Sequence, residues 1–488
     1  MAYKRLVDFV ERLADAGELA RVEVEVDPQE EIAEITRRAA QSGGPALLFV
    51  KVRGCRWPLV TNLLGTAARV SRALGLEQLD DLVTRLGEHL SGDQPQGWLA
   101  RLGLRGAAVP RTASRPKLVS TAPCQQVVQL GSDVDLGTYP AVSAATQESG
   151  RAVCGAVVIV PQESDDDFRT AVADIQVVGP RELVVEIAPH GPLSSYIERV
   201  RSEGSSAAVA LAVGLPPAHF LAAHTAAHLD AEMSDLLALF GSEPVELVRA
   251  RTQPVSVPAA AEVVIEGLLH PEIEGSEAVR IADAGGFVRD IEHTARIEVT
   301  AVSHRSSPLF HTVVPGPPPD ERMAWAEVSS RLLRATAIEG IDGLVDLHLP
   351  WGLVGHRLAI VALRKAFPLH ARQVASAVWG CRPLRALKTL VVVDAEVPLR
   401  DWNQVMYQVA AQVDPMSDVW IESGPADLAD HALANSPRGG RMVIDATAKW
   451  AGERRQAFPP AVAASAEIVD AVRARWAEYG LPGIEFDK

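Results

Sequence analysis

Apolar positions Leu6, Val7, Val10, Leu13 and Ala14 recur at three- and four-residue intervals, which predicts a helix over residues 4–17. The alternation RVEVEV from Arg21 then predicts a strand. Asp27-Pro28-Gln29-Glu30 predicts a second helix start: a capping aspartate, a proline where a missing N–H costs nothing, and a glutamate at the capping-box position. Gly43-Gly44-Pro45 stops that helix before the strand ALLFV, and residues 82–90 read as a further helix. From residue 117 to about 305 the pattern is mainly strand-like, in runs such as AVCGAVVIV, DIQVVG and ELVVEIA, broken by one helix near 193–203. Val263 and Ile265, between Glu262 and Glu266, add a half-buried strand that Gly267 is expected to end. Beyond PGPPPD, from Pro315, the apolar runs LVDLHL, HRLAIVAL and TLVVVD are each followed by a helical pattern, the alternation of an α/β layer.

A mixture of Arg, Gly, Ala and Pro over residues 103–116 reads as a linker. Residues 1–112 are therefore expected to form an α/β domain, 113–312 a β-rich barrel or sandwich, and 313–488 a second α/β domain. The chain of 488 residues needs more than one core, because domains usually hold about 100–200 residues.

Charge and composition remove several function classes. A net charge of −15, with no dense basic face, argues against a nucleic-acid partner. The apolar runs are too short to span a bilayer and no basic-then-apolar leader is present, so a soluble, cytoplasmic protein is expected. Cys55, Cys124, Cys154 and Cys381 lie far apart, which disfavours a zinc ribbon or a disulfide scaffold. His224 and His228 share one helical face, spacing that suits either metal chelation or an ordinary helix-surface pair, with Asp230, Glu232 and Asp235 as third-ligand candidates. Two helices carry apolar stripes: Trp402, Val405, Met406 and Val409 in one, and Ile468, Val469, Val472 and Trp476 in the other. The first is expected to pack within its own domain and the second to dock on a neighbour.

Four phrases, VPAAAEVVIEG from Val257, VVGPREL from Val177, SEPVELV from Ser242 and TLVVVDAEVPLRDWNQVMYQVAAQVDPMSD from Thr389, resemble the UbiD family of decarboxylases in order and spacing. The resemblance implies three domains around a central split β-barrel like that of flavin reductases. It also implies prenylated FMN with a divalent metal (Mn or Mg) and potassium, a flavin prenyltransferase as cofactor supplier, and a homodimer or larger homo-oligomer. The implied activity is reversible, non-oxidative decarboxylation of an α,β-unsaturated or aromatic carboxylic acid.

Carried over residue by residue, the resemblance makes Glu277 a catalytic acid, while the second acid position holds Ala282 and Asp283 follows it. Carboxylates crowded in a folded loop suit proton donation to the carbon that has lost CO2. Where the family has a metal-binding asparagine and a substrate-gripping arginine, this chain has Arg169 and Asp174. Arg169 could bind a phosphate directly, and Asp174 would repel an anion unless protonated or paired. His190 and Asp235 fall at metal-ligand positions, and Lys388 at a lysine that contacts the flavin phosphate. With no arginine at 174, the substrate grip could pass to Arg151, Arg280 or Arg289. These substitutions keep a second reading open, a UbiD-like fold without the cofactor that serves as a non-catalytic subunit or in different chemistry.

Overall fold

The computed structural model describes residues 3–90, 116–161, 169–186, 193–229, 231–271, 279–291, 294–350, 357–425, 427, 430–433, 438–453, 462–481 and 486. Glu277 and His190 lie outside these residues, as do the structural details of the 91–115 segment.

The N-terminal elements are α1 (Leu6–Asp15), β1 (Leu19–Val26), α2 (Glu31–Gln41), β2 (Ala46–Val52), β3 (Leu59–Thr61), α3 (Ala67–Ala73) and α4 (Asp81–Leu90). Helix α1 exists because Leu6, Phe9, Val10 and Leu13 form one stripe, all buried. Helix α2 starts later than its sequence suggests. Gln29 N–H donates to the Asp27 carboxylate at 2.8 Å in a turn, and Glu31 rather than Glu30 reaches back to the Asp27 N–H at 2.6 Å. Glu30 takes φ +64, outside the helical region, so the helix begins only at Glu31 and the Asp27 carboxylate closes a turn instead of capping.

The middle of the chain runs β4 (Lys117–Val119), β5 (Val127–Leu130), β6 (Ala152–Val160), β7 (Arg169–Gly179), β8 (Glu182–Glu186), α5 (Ser194–Ser202), β9 (Ala207–Val213), α6 (Pro217–Leu229), α7 (Met233–Leu239), β10 (Glu246–Arg249), β11 (Ser256–Pro258), β12 (Val263–Pro271), β13 (Val279–Ala282), β14 (Val288–Ile291), β15 (Thr294–His304) and β16 (Phe310–His311). Six of these strands close into an antiparallel barrel in the order β12-β9-β6-β7-β8-β15, sealed by β12 against β15, while β5 pairs with the far end of β15 beyond β8. Closure leaves no free edge within the six, and runs such as AVCGAVVIV are almost wholly buried because Val153, Ala156, Val158 and Val160 fill one apolar cluster inside the barrel while Ala152, Cys154, Val157 and Ile159 join another with the helices outside it. Gly267 does not end its strand. It faces a bulge at Thr300 of β15, and an added Cβ would sit 2.5 Å from the Glu298 carbonyl of that strand, while β12 itself continues to Pro271.

Helix α6 is apolar all round and buried all round, with alanines and His219, His224 and Thr225 in place of a polar face. It lies on the barrel strand β7 and against α7 and the long helix α8 (Glu321–Gly340). After α8 come β17 (Leu344–His348), β18 (Leu358–Leu363), α9 (His370–Gly380), β19 (Thr389–Asp394), α10 (Trp402–Gln412), β20 (Val419–Pro425), β21 (Arg438–Asp445) and α11 (Ala466–Ala474). Strands β18, β19 and β21 are parallel, with β17 and β20 antiparallel at the two edges, the expected α/β layer. In α10 only Val405 is buried, and Trp402 and Met406 of the expected stripe remain exposed. One large apolar cluster joins α1, α4, α6, α8 and the inner face of the C-terminal sheet, so the site described next sits between packed bodies.

Candidate active site

A cavity of about 430 Å³ opens between the barrel, the start of α8 and the C-terminal sheet. The barrel contributes Gly155, Asp174 and Glu186, and the β13–β14 hairpin contributes Asp283 and Arg289. Helix α6 supplies His224 and His228, the first turns of α8 supply Arg322 and Trp325 with Asp320 just before them, and Arg357 and Asp427 come from the C-terminal part.

The barrel wall is shaped by a bulge. Pairing of β6 with β7 slips between Val153 and Ala156, and Gly155 takes φ +77 there. A left-handed residue in mid-strand releases both of its backbone groups from the ladder. The Gly155 N–H donates to Asp174 Oδ1 at 2.9 Å, and its carbonyl accepts from His224 Nε2 at 3.3 Å. Asp174 Oδ2 in turn accepts from Arg322 Nη2 at 2.9 Å. Burial works against the Arg322 charge, but Asp174 and Asp320 outweigh it and hold its pKa above the ordinary value.

Asp320 caps α8, accepting the Arg322 N–H at 2.9 Å through Oδ1, while its Oδ2 has no hydrogen-bond partner among the described residues. Burial pushes its carboxyl up to about 6, against the opposing pull of Arg322. It is therefore a carboxyl that titrates within reach of neutral pH on the wall of a cavity, a requirement for a proton donor.

Asp283 is 4% exposed and divided between two tasks. Its Oδ1 accepts from Gly285 N–H at 2.8 Å and from Phe287 N–H at 3.2 Å, closing the hairpin turn. Its Oδ2 faces Arg289 Nε at 3.6 Å. Arg289 is clamped by Glu186, with Nη1 at 2.6 Å from Oε1 and a second bond from Nη2 to Oε2.

The opposite wall is aromatic. Trp325 lies 4.6 Å from His224 and 4.8 Å from Phe220, centroid to centroid, contacts of about 0.5–1.5 kcal/mol each beyond burial for aromatic pairs. Burial lowers the pKa of His224 to about 3 and that of His228 to about 4, so both rings are neutral at pH 7. The helical pair is thus part of the cavity wall. Among the described residues, no group of three His, Cys, Asp or Glu side chains is placed to hold a metal ion.

Family models of the 3-octaprenyl-4-hydroxybenzoate carboxy-lyase match the chain in order: the N-terminal domain over residues 10–86, the Rift-related domain over 117–318 and the C-terminal domain over 323–446. The chain belongs to the UbiD family. Solved UbiD-class folds agree over nearly the full length. The vanillic acid decarboxylase of Sedimentibacter hydroxybenzoicus in its closed form is 23% identical with a TM-score of 0.80, 98% of each chain being covered. The UbiD-class enzyme HmfF of Pelotomaculum thermopropionicum, solved in complex with FMN, is 25% identical with a TM-score of 0.72, covering 93% of this chain and 97% of its own. The 3,4-dihydroxybenzoic acid decarboxylase of Enterobacter cloacae is 19% identical with a TM-score of 0.72 over 99% of this chain and 100% of its own.

Of the residues taken from the UbiD resemblance, the structure brings Asp174 and Asp283 to one cavity. Arg169 opens β7, and its side chain lies outside what is described, as do Glu277 and His190. Asp235 stands on α7 and is not among the cavity-lining residues. Lys388 reaches the cavity only indirectly, its Nζ 3.0 Å from buried Asp430, which lies 4.0 Å from the lining residue Arg357. Arg151 and Arg280 are turned elsewhere, to the Gly137 carbonyl at 2.7 Å and to Asp290 at 2.9 Å. Sequence reasoning missed Asp320, Arg322, Trp325 and Glu186. A signal existed for the first of these, because an aspartate after a proline run and ahead of Glu-Arg is a helix-capping pattern.

Proposed function

We propose that this chain is a carboxy-lyase that catalyses the reversible, non-oxidative decarboxylation of an α,β-unsaturated or aromatic carboxylic acid with prenylated FMN. The observation that carries the reading is the cavity at the junction of the barrel and α8, where titratable carboxyls stand opposite an apolar aromatic wall. Its volume of about 430 Å³ suits a small planar ligand. Support comes from the family match along the chain and from neighbours named for decarboxylating vanillic and 3,4-dihydroxybenzoic acids.

The cavity residues fit a flavin in part. Arg357, with Lys388 behind it, is the cation a phosphate end would meet. When bound, prenylated FMN supplies the electron sink for the pair left behind as CO2 departs. The protein's task is then to orient the acid, exclude water and return a proton to the carbon. Asp320, with its raised carboxyl and unpartnered Oδ2, is the donor we assign among the described residues. Glu277 stays a candidate through the resemblance, whereas Asp283 keeps a proton-donor role only through Oδ2, since its Oδ1 holds the turn. His190 and Asp235 stay metal-ligand candidates through the resemblance, and no step is routed through a metal or potassium.

A homo-oligomer in the cytoplasm, supplied by a flavin prenyltransferase, completes the proposal. Among the described residues nothing fully buries any side chain of helix α11, which supports docking on a second copy. No described helix is long and apolar enough to cross a membrane.

One observation favours the second reading, a UbiD fold without the cofactor. Asp174 and Glu186 on the barrel wall are already tied to Arg322 and Arg289. Incubating flavin-loaded protein in D2O with a panel of cinnamic and hydroxybenzoic acids separates the two. Deuterium appearing at the carbon that lost CO2 is expected, and none with any acid would leave the non-catalytic reading.

A further inference from the structure

Three arginines line the cavity, and their hydrogen-bond occupancy separates them. Arg289 commits both terminal nitrogens to Glu186 and turns Nε toward Asp283 at 3.6 Å. Arg357 stands between Asp427 at 3.6 Å and Asp430 at 4.0 Å. The Arg322 guanidinium makes one hydrogen bond among the described residues, from Nη2 to Asp174 at 2.9 Å. A guanidinium carries five N–H donors, so most of those on Arg322 have no acceptor among the described residues. They are not sealed in either: the side chain keeps 17% exposure and faces the cavity.

Two further features make Arg322 suited to an anion. Asp174 cannot swing to take more of the guanidinium, because Gly155 holds its other oxygen at 2.9 Å. Trp325 lies three residues on, hence on the same face of α8, and stacks on His224. A charged grip and a flat apolar surface therefore adjoin. The rest of the lining repels anions, since Asp174, Glu186, Asp283, Asp320 and Asp427 outnumber the three arginines.

We propose that Arg322 is the carboxylate anchor of this cavity, binding the substrate's carboxylate while the unsaturated body lies against Trp325 and His224. Asp174, tied to the Gly155 N–H and to Arg322, is the positioning residue that fixes the anchor. This rests on the carboxylic-acid reading of the site.

Isothermal titration of the full-length protein with sodium benzoate and with benzamide, an isostere without the charge, tests it. The variant is Asp174→Asn with Arg322→Gln, which removes both charges together and keeps polar side chains at both places, and thermal melting confirms that it folds. Wild type is expected to prefer benzoate by about tenfold or more, the usual size of a charged hydrogen bond, and the double variant to hold both ligands within about twofold. Arg322→Lys, which keeps the charge and loses the fork, is expected to fall between them. A double variant that keeps the benzoate preference overturns the anchor and leaves the carboxylic-acid reading standing. A wild type that prefers neither ligand overturns both.

Discussion

Asp174 on β7 and Arg322 on α8 lie 148 residues apart in the chain and meet at 2.9 Å on the cavity wall. The pair is mostly withdrawn from water, with side chains 24% and 17% exposed. Removing one partner of such a pair leaves a poorly solvated charge, which typically costs about 3–5 kcal/mol, whereas replacing both with apolar groups costs far less. Asp174→Ala is therefore expected to destabilise the protein by about 3 kcal/mol, and adding Arg322→Met to recover much of that loss. Urea denaturation of both variants checks the coupling.

Asp320 makes stability depend on pH in a defined direction. Its carboxyl is raised to about 6 from 3.8 by burial, so the folded state binds a proton more tightly than the unfolded state does. Stability from this group is complete below about 4 and is lost as pH rises through about 6. Asp320→Asn keeps a good helix cap and removes the titration. The variant is expected to gain about 3 kcal/mol on wild type between pH 4 and pH 7, read from melting curves across that range. His219, His224 and His228, lowered to about 4, 3 and 4 by burial, act in the opposite sense: their contribution is present above about 6.5 and fades in acid. They are common to both proteins, so the difference isolates Asp320.

Much of the fold was legible in the sequence because one property dominated each element. The barrel strands are nearly continuous apolar runs, and α1 is a clean stripe of Leu6, Phe9, Val10 and Leu13. The candidate site was less legible, for two physical reasons. Gly155 lies inside AVCGAVVIV, where nothing local distinguishes a bulge from an ordinary strand glycine. Arg322 follows a proline-rich segment and acquires its meaning only when α8 packs beside β7, a tertiary contact that no short-range pattern encodes. Gly267 and Asp27 likewise take their roles from context: the bulge in the partner strand β15 decides the first, and the positive φ of Glu30 the second.

The bulge is open to a direct test. Gly155 has φ +77, and an added Cβ would come 3.0 Å from Val313 Cγ2. Gly155→Ala is expected to cost about 1–2 kcal/mol from the left-handed backbone alone. It should also loosen Asp174, so that the Asp174–Arg322 coupling measured by double-mutant cycle shrinks in this background.

The C-terminal helix gives a prediction about assembly. Ile468 on α11 is 55% exposed, and no residue of the helix is fully buried by the described residues. If a second copy covers this face, Ile468→Asp lowers the mass measured by light scattering without changing the melting of the isolated subunit. An unchanged mass would place the contact elsewhere.

The central claim is that this cavity works with prenylated FMN, and the most direct measurement is the absorption spectrum and intact mass of protein co-expressed with a flavin prenyltransferase. Retention of the prenylated flavin near one per subunit is the predicted result. A colourless protein that carries no flavin under these conditions contradicts the account and marks the chain as a UbiD fold turned to another use.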